Sequence, residues 1–148
     1  MGFSLGSRAA ILTSVGDQRV GAVVILAGFC DFADTLLSPE FFEESAPFLN
    51  GTTAEILIQQ WISLGEGLQP YEVLPQISPR PMLVVHGTAD EVVPFFHADC
   101  LVHYAGEIAR LAKIDGANHT FDHHRRELIQ VVAGYLGAWA GQAEGPAP

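Results

Sequence analysis

Pro81-Met82-Leu83-Val84-Val85-His86-Gly87-Thr88-Ala89-Asp90-Glu91-Val92-Val93-Pro94 is the stretch whose reading decides the fold. Residues 82–86 run apolar without the alternation of a half-solvated strand, and Gly87 stops them, so they read as a strand buried on both faces. Working outward, Gly-Ala-Val-Val-Ile-Leu-Ala-Gly at 21–28 is a second such run bounded by glycines. Pro70, Pro75, Pro79 and Pro81 forbid a long element across 65–81. Helices are expected at 5–14, from a Thr53 cap to about residue 64, at 95–104 and at 123–139. The last has Leu128, Val131, Val132, Tyr135 and Leu136 along one face. A weaker strand at 109–114 is interrupted by Arg110 and Lys113, and 31–52 reads as irregular with a short helix near Pro39. The tail 141–148 is expected to fray. Strands alternating with helices, two of them apolar throughout, predict an α/β domain: a parallel sheet with helices on both faces and right-handed crossovers. In such sheets reactive residues gather beyond the carboxyl ends of the strands.

Composition limits the function. The chain has 148 residues, 17 acidic against 7 basic, a net charge of −10, and 49% hydrophobic side chains. That suits one globular domain, 1–148, and excludes a disordered chain. One lysine and scattered arginines supply no basic patch, so no nucleic-acid partner is expected. No apolar run reaches the length of a membrane span. The N-terminus has no charged segment before an apolar run, so no secretory signal is expected. Cys30 and Cys100 stand 70 residues apart without a CxxC spacing, which reads as two buried thiols in a reducing compartment, and the expected location is cytoplasmic.

Three loops carry reactive side chains. Gly2-Phe3-Ser4-Leu5-Gly6 matches Gly-x-Ser-x-Gly immediately before a helix. The glycines are expected to relieve clashes around a strained serine turn, and the helix start offers free N–H groups to an oxyanion. Asp90 follows the strand 82–86 and by itself reads as support for a tight turn. His119, in Gly116-Ala117-Asn118-His119, follows the strand 109–114 and by itself reads as a solvated loop residue. Taken together, the chain order Ser, Asp, His puts each candidate at one edge of one sheet, the order of a nucleophile, an orienting acid and a base. His86 reads as a packed core histidine. His123 and His124 lack carboxylate or thiol partners at metal-ligand spacing, so no metal and no cofactor are expected.

Residues 2–6, 81–94 and 115–121 resemble the α/β-hydrolase superfamily, nearest its small esterase, dienelactone-hydrolase and serine-aminopeptidase-like branches. The resemblance covers almost the whole chain and is most specific around Asp90. It implies Ser4 as nucleophile, His119 as general base and then acid, Asp90 as the group orienting the imidazole, and the Leu5 N–H as an oxyanion donor. Phe3, Phe29, Phe32 and Val93 are expected to wall the substrate site, with packing in the core the alternative for Phe29 and Phe32. Residues 31–70 occupy the position of a cap, to which Phe41, Phe42, Phe48 and Trp61 would give an apolar underside. The expected function is hydrolysis of small carboxylic esters or related acyl substrates through an acyl-enzyme.

The family has further strands before its serine turn. Met1 stands one residue ahead of the motif, so the strand leading into Ser4 and the loop giving a second oxyanion donor are expected to be absent. That leaves an open sheet edge, and with it two further expectations: a homo-oligomer completing the edge through residues 3–28, and, as the competing function, a weakly active or inactive hydrolase-like module that self-associates.

Overall fold

A computed structural model describes residues 1–33 and 37–143 of the chain. Four parallel strands lie in sequential order: β1 (Gly2–Phe3), β2 (Val23–Leu26), β3 (Met82–Gly87) and β4 (Ala109–Ile114). The two apolar runs are continuous because successive side chains face two different cores. Val23, Ile25, Met82 and Val84 pack with Ile11 of α1 (Gly6–Gly16), Val73 of α4 (Pro70–Val73) and Leu101 of α5 (Phe96–Ala105). Val24, Leu26, Leu83 and Val85 pack on the other side against Leu128, Val131, Val132 and Tyr135 of α6 (Arg125–Ala143). Each fully buried aliphatic side chain is worth roughly 1.5–3 kcal/mol, so a polar residue in either run needs a compensating partner. The sheet is parallel with helices on both faces, as expected.

Between β2 and β3 lie α2 (Pro39–Ser45) and α3 (Ala54–Glu66). Pro39 starts α2, where its missing N–H costs nothing, and Ser38 Oγ accepts the Phe41 N–H at 3.4 Å. Thr53 caps α3 by accepting the Ile56 N–H. Gln69, 4% exposed, ties the end of this segment to its beginning. Its Oε1 accepts the Phe32 N–H at 2.9 Å, and its Nε2 donates to the carbonyls of Leu64, Gly65 and Gly67. The proline-rich connection holds only α4 and a single 3-10 turn at Leu74–Ile77.

Several expectations change. The strand before Ser4 is present as the two residues of β1, pairing Gly2 with Ile25 and Phe3 with Leu26; it forms the sheet edge. Cys30 and Cys100 are joined in a disulfide rather than left as thiols. Packing α5 over the segment that follows β2 brings their Cα atoms to 5.9 Å, within bonding range. Such bonds persist in oxidising surroundings, so the thiol argument for a cytoplasmic location no longer stands. The last helix starts at Arg125 instead of 123, because Phe121 and His123 hold positive φ (55° and 64°) where the chain turns away from the His119 loop. It also continues to Ala143, past the expected start of fraying. Residues 144–148 of that tail, and 34–36 of the cap-like stretch, lie outside the described residues. Among the described residues no helix is long and apolar enough to cross a membrane.

Candidate active site

Ser4 stands where β1 turns into α1, with φ of 51°, a left-handed conformation costly for a residue with a Cβ. Hydrogen bonds on both sides hold it there: its N–H donates to Leu26 O of β2 at 2.9 Å, and its carbonyl accepts the Ser7 N–H at 2.9 Å. A Cβ on Gly2 would overlap the Gly6 carbonyl and approach Ala10 Cβ to 2.8 Å, so this glycine is required by close packing of strand and helix. Gly6 faces open space instead, which removes the steric reason expected for the second glycine of the motif. Leu5 directly follows Ser4 and opens α1, where first-turn N–H groups have no intrahelical acceptor.

The loops after β3 and β4 are fastened to each other. Ala89 N–H donates to Ala117 O at 3.0 Å, and Thr88 Oγ donates to Asp115 Oδ1 while accepting the Gly116 N–H, both at 2.9 Å. Gly87 lies so near this seam that a Cβ would overlap the Ala117 carbonyl. Phe121, 1% exposed, plugs the base of the His119 loop. The Asn118 Oδ1 accepts the Asp122 N–H at 2.9 Å and closes that loop from the other side.

These constraints bring three side chains, the outer two 115 residues apart in sequence, into one row. His119 Nε2 is 2.9 Å from Ser4 Oγ, and His119 Nδ1 is 2.9 Å from Asp90 Oδ2. The Asp90 side chain is sealed from solvent, and His119 is 8% exposed. Asp90 Oδ1 accepts the N–H groups of Val92 (3.0 Å) and Val93 (2.8 Å), which turns the carboxylate back over its own loop. Burial alone would raise the Asp90 pKa. Hydrogen bonds from His119, His86 and the Val93 N–H, with the charge His119 can carry, outweigh it and hold the carboxyl well below the usual carboxylate range. Asp90 is therefore an anion beside an imidazole whose other nitrogen meets a serine hydroxyl. A carboxylate there fixes the Nδ1–H tautomer and leaves Nε2 bare to receive the Ser4 proton.

A cavity of about 270 Å³ opens from Ser4 and Leu5. Its walls are Phe29, Trp61, Leu64 and Val92, with Phe41, Phe42, Leu49 and Leu57 from the α2–α3 region. Phe29 thus sits where expected. Phe32 (1% exposed) and Val93 (0%) do not line the cavity; they are buried in the cluster that backs Phe29. The turn around Asp90 sends Val93 inward and leaves its neighbour Val92 at the wall. Phe3 is 43% exposed and lies against the His119 ring, centroids 5.1 Å apart, rather than in the cavity. Phe48 is 87% exposed and takes no part. The sequence reading misses the wall leucines Leu49, Leu57 and Leu64, Val92 one position from the expected residue, and His86, whose Nε2 lies 3.2 Å from Asp90 Oδ2. A lone polar residue in an apolar strand was the signal for His86. Among the described residues no group of three His, Cys, Asp or Glu side chains is assembled for a metal ion.

No protein-family model matches the sequence, and no curated protein matches it. Solved structures do match in fold. An esterase domain from a Rhodothermus marinus protein superposes with a TM-score of 0.64 at 21% identity, over 94% of this chain and 58% of its own. Est1E from Butyrivibrio proteoclasticus gives 0.68 at 16% identity, over 95% and 60%. MGS-MChE2, an alpha/beta hydrolase enzyme from a lagoon-sediment metagenome of Mar Chica, Morocco, gives 0.71 at 19%, over 93% and 59%. The chain spans 58–60% of the length of these proteins. At such identities the likeness is one of architecture, and the architecture this chain shares with them over nearly all its residues is the α/β-hydrolase fold.

Proposed function

We propose that the chain is a serine hydrolase of small carboxylic esters, acting through an acyl-enzyme on Ser4. The observation that carries this reading is the unbroken row from Ser4 Oγ through both nitrogens of His119 to the sealed Asp90 carboxylate, each link 2.9 Å. His119 Nε2 takes the hydroxyl proton as Ser4 Oγ attacks the ester carbonyl. The Asp90 anion stabilises the imidazolium that forms, and the Leu5 N–H donates to the oxyanion. Collapse of the tetrahedral intermediate expels the alkoxide, which leaves as the alcohol with the proton from His119. Water then enters, gives its proton to Nε2, and releases the acid by the same steps in reverse order. The apolar cavity beside Ser4 receives the acyl group, with α2 and α3 acting as its cap. No cofactor is required for these steps.

A second reading is supported by the open edge of β1. Beside it runs a groove bordered by Met1, Gly6, Ala10, Val20 and Val23. Unpaired edges invite strand addition, and a two-fold dimer across this edge is the simplest closed arrangement. A module serving only as such an assembly unit would need no reactive serine. Hydrolysis of a short p-nitrophenyl ester by the wild type and Ser4→Ala separates the two: the catalytic reading expects turnover that Ser4→Ala abolishes, and undiminished turnover in the variant sinks it.

A further inference from the structure

His86 occupies the penultimate position of β3 and is 0% exposed in a strand that is otherwise apolar from Met82 to Val85. A buried imidazole among such neighbours is unfavourable unless its polar atoms are engaged. Its Nε2 lies 2.8 Å from the Val93 carbonyl oxygen, which can only accept, so Nε2 carries the proton. The same N–H lies 3.2 Å from Asp90 Oδ2. Among the described residues Nδ1 has no hydrogen-bond partner, which agrees with the proton being on Nε2. Phe95 meets the ring edge-on at 5.7 Å and holds its plane.

From this geometry we infer that His86 is a positioning residue for the reaction: as a neutral Nε2–H donor it orients the Asp90 carboxylate toward His119 and keeps the working proton on His119. The inference rests on the reading of Ser4, His119 and Asp90 as a catalytic row. The two oxygens of Asp90 are held in different ways. Oδ1 accepts the N–H groups of Val92 and Val93 and lies 3.1 Å from His119 Nδ1, whereas Oδ2 lies 2.9 Å from His119 Nδ1 and 3.2 Å from His86 Nε2. The Val92 and Val93 N–H groups anchor the Oδ1 end of the carboxylate, and His86 Nε2, 3.2 Å from Oδ2, braces the other end beside His119. His119 is the group that must change protonation during turnover. A second N–H 3.2 Å from Oδ2 also lowers that oxygen's basicity, so the carboxylate stabilises the imidazolium without taking its proton. The Val93 carbonyl, acting on the same N–H, fixes the donor to the loop that carries Asp90. His86 touches neither Ser4 nor the cavity, so it reaches the reaction through the Asp90 carboxylate and the loop that carries it.

A double-mutant cycle with p-nitrophenyl butyrate tests this. His86→Leu is expected to lower kcat by about tenfold or more with KM within about twofold, because substrate contacts are untouched. His86→Gln, which keeps an N–H donor, is expected to recover most of the loss. In an Asp90→Asn background the same His86→Leu change is expected to cost less than about twofold, since the group it acts through has gone. An equal fold-loss in both backgrounds, or a folded His86→Leu enzyme with wild-type kcat, overturns the inference. If Asp90→Asn leaves kcat unchanged, the catalytic row fails and this inference with it. If Asp90→Asn is crippled and His86→Leu is not, this inference fails alone. Should His86→Leu not fold, the tautomer of His86 in the wild type decides. Long-range nitrogen–proton correlation spectra of the wild type must show His86 protonated at Nε2 and bare at Nδ1, and the opposite tautomer refutes the inference without any activity measurement.

Discussion

Replacing Asp90 by Asn changes almost nothing in shape and nearly everything in hydrogen bonding. The asparagine oxygen can still accept the Val92 and Val93 N–H groups at 3.0 and 2.8 Å, and this pins the side chain with its NH2 where Oδ2 was. That NH2 then faces His119 Nδ1 at about the 2.9 Å now spanned to Oδ2. Two donors cannot share that distance, so His119 shifts its proton to Nε2 and accepts at Nδ1. In that tautomer Nε2 can no longer take the Ser4 proton across the 2.9 Å contact. A wrong tautomer of this kind lowers kcat by about 10³–10⁴, or roughly 4–5.5 kcal/mol of barrier. The cost in stability is smaller. Charge-assisted bonds on Oδ2 are lost at about 1.5–3 kcal/mol each, and relief from burying a carboxylate returns part of that, leaving a net loss of about 1–3 kcal/mol. The assay is steady-state p-nitrophenyl ester hydrolysis beside urea unfolding. An Asn variant retaining more than about a tenth of wild-type kcat while folded refutes the claim that Asp90 sets the tautomer.

Other consequences are independent of that variant's kinetics. Because the Asp90 pKa lies below its unfolded value of about 3.9, its stabilising contribution is complete above that value and is lost as pH falls through the folded pKa. The urea midpoint should therefore drop as pH falls below about 4 more steeply in the wild type than in Asp90→Asn, and equal slopes contradict the assignment. Gly87→Ala drives a Cβ into the Ala117 carbonyl and must separate the two loops. It should cost about 1–3 kcal/mol in unfolding and reduce kcat, whereas an unchanged melt and rate show that the seam is not needed. Trp61 packs on Phe29 and Phe32, ring centroids 5.3 Å apart in each case, and walls the cavity. Trp61→Ala should raise KM for a hexanoate ester while leaving the acetate ester near wild type, and equal effects on both remove Trp61 from acyl recognition.

Local patterns were legible in the sequence and contacts set by packing were not. β3 and β4 were readable because each ends in a loop whose glycine, with an aspartate or a histidine close behind, announces a strand end. Thr53 and Pro39 carried their own helix-start chemistry. β1 was invisible because two residues at the start of the chain have no periodicity, and it exists only by pairing with Ile25 and Leu26. The Cys30–Cys100 bond had no spacing signature; it follows from where α5 lies across the chain after β2. Val92 and Val93 are chemically alike, and only the direction of the Asp90 turn decides which one faces the cavity. Phe32 was readable as apolar, but its burial behind Phe29 depends on Gln69, which holds its backbone from 37 residues away. Ser4, Asp90 and His119 were nameable from motif and order; the 2.9 Å contacts among them come from the register of the strands that carry them.

The most direct test of the central claim is labelling of the folded protein with a fluorophosphonate, followed by intact mass and peptide mapping. A serine activated by His119 should take up one phosphonyl group per chain, on the peptide containing Ser4. The reaction should be abolished in Ser4→Ala and slowed strongly in His119→Ala. A folded wild type that stays unlabelled, or a label that persists at another residue in Ser4→Ala, contradicts the account.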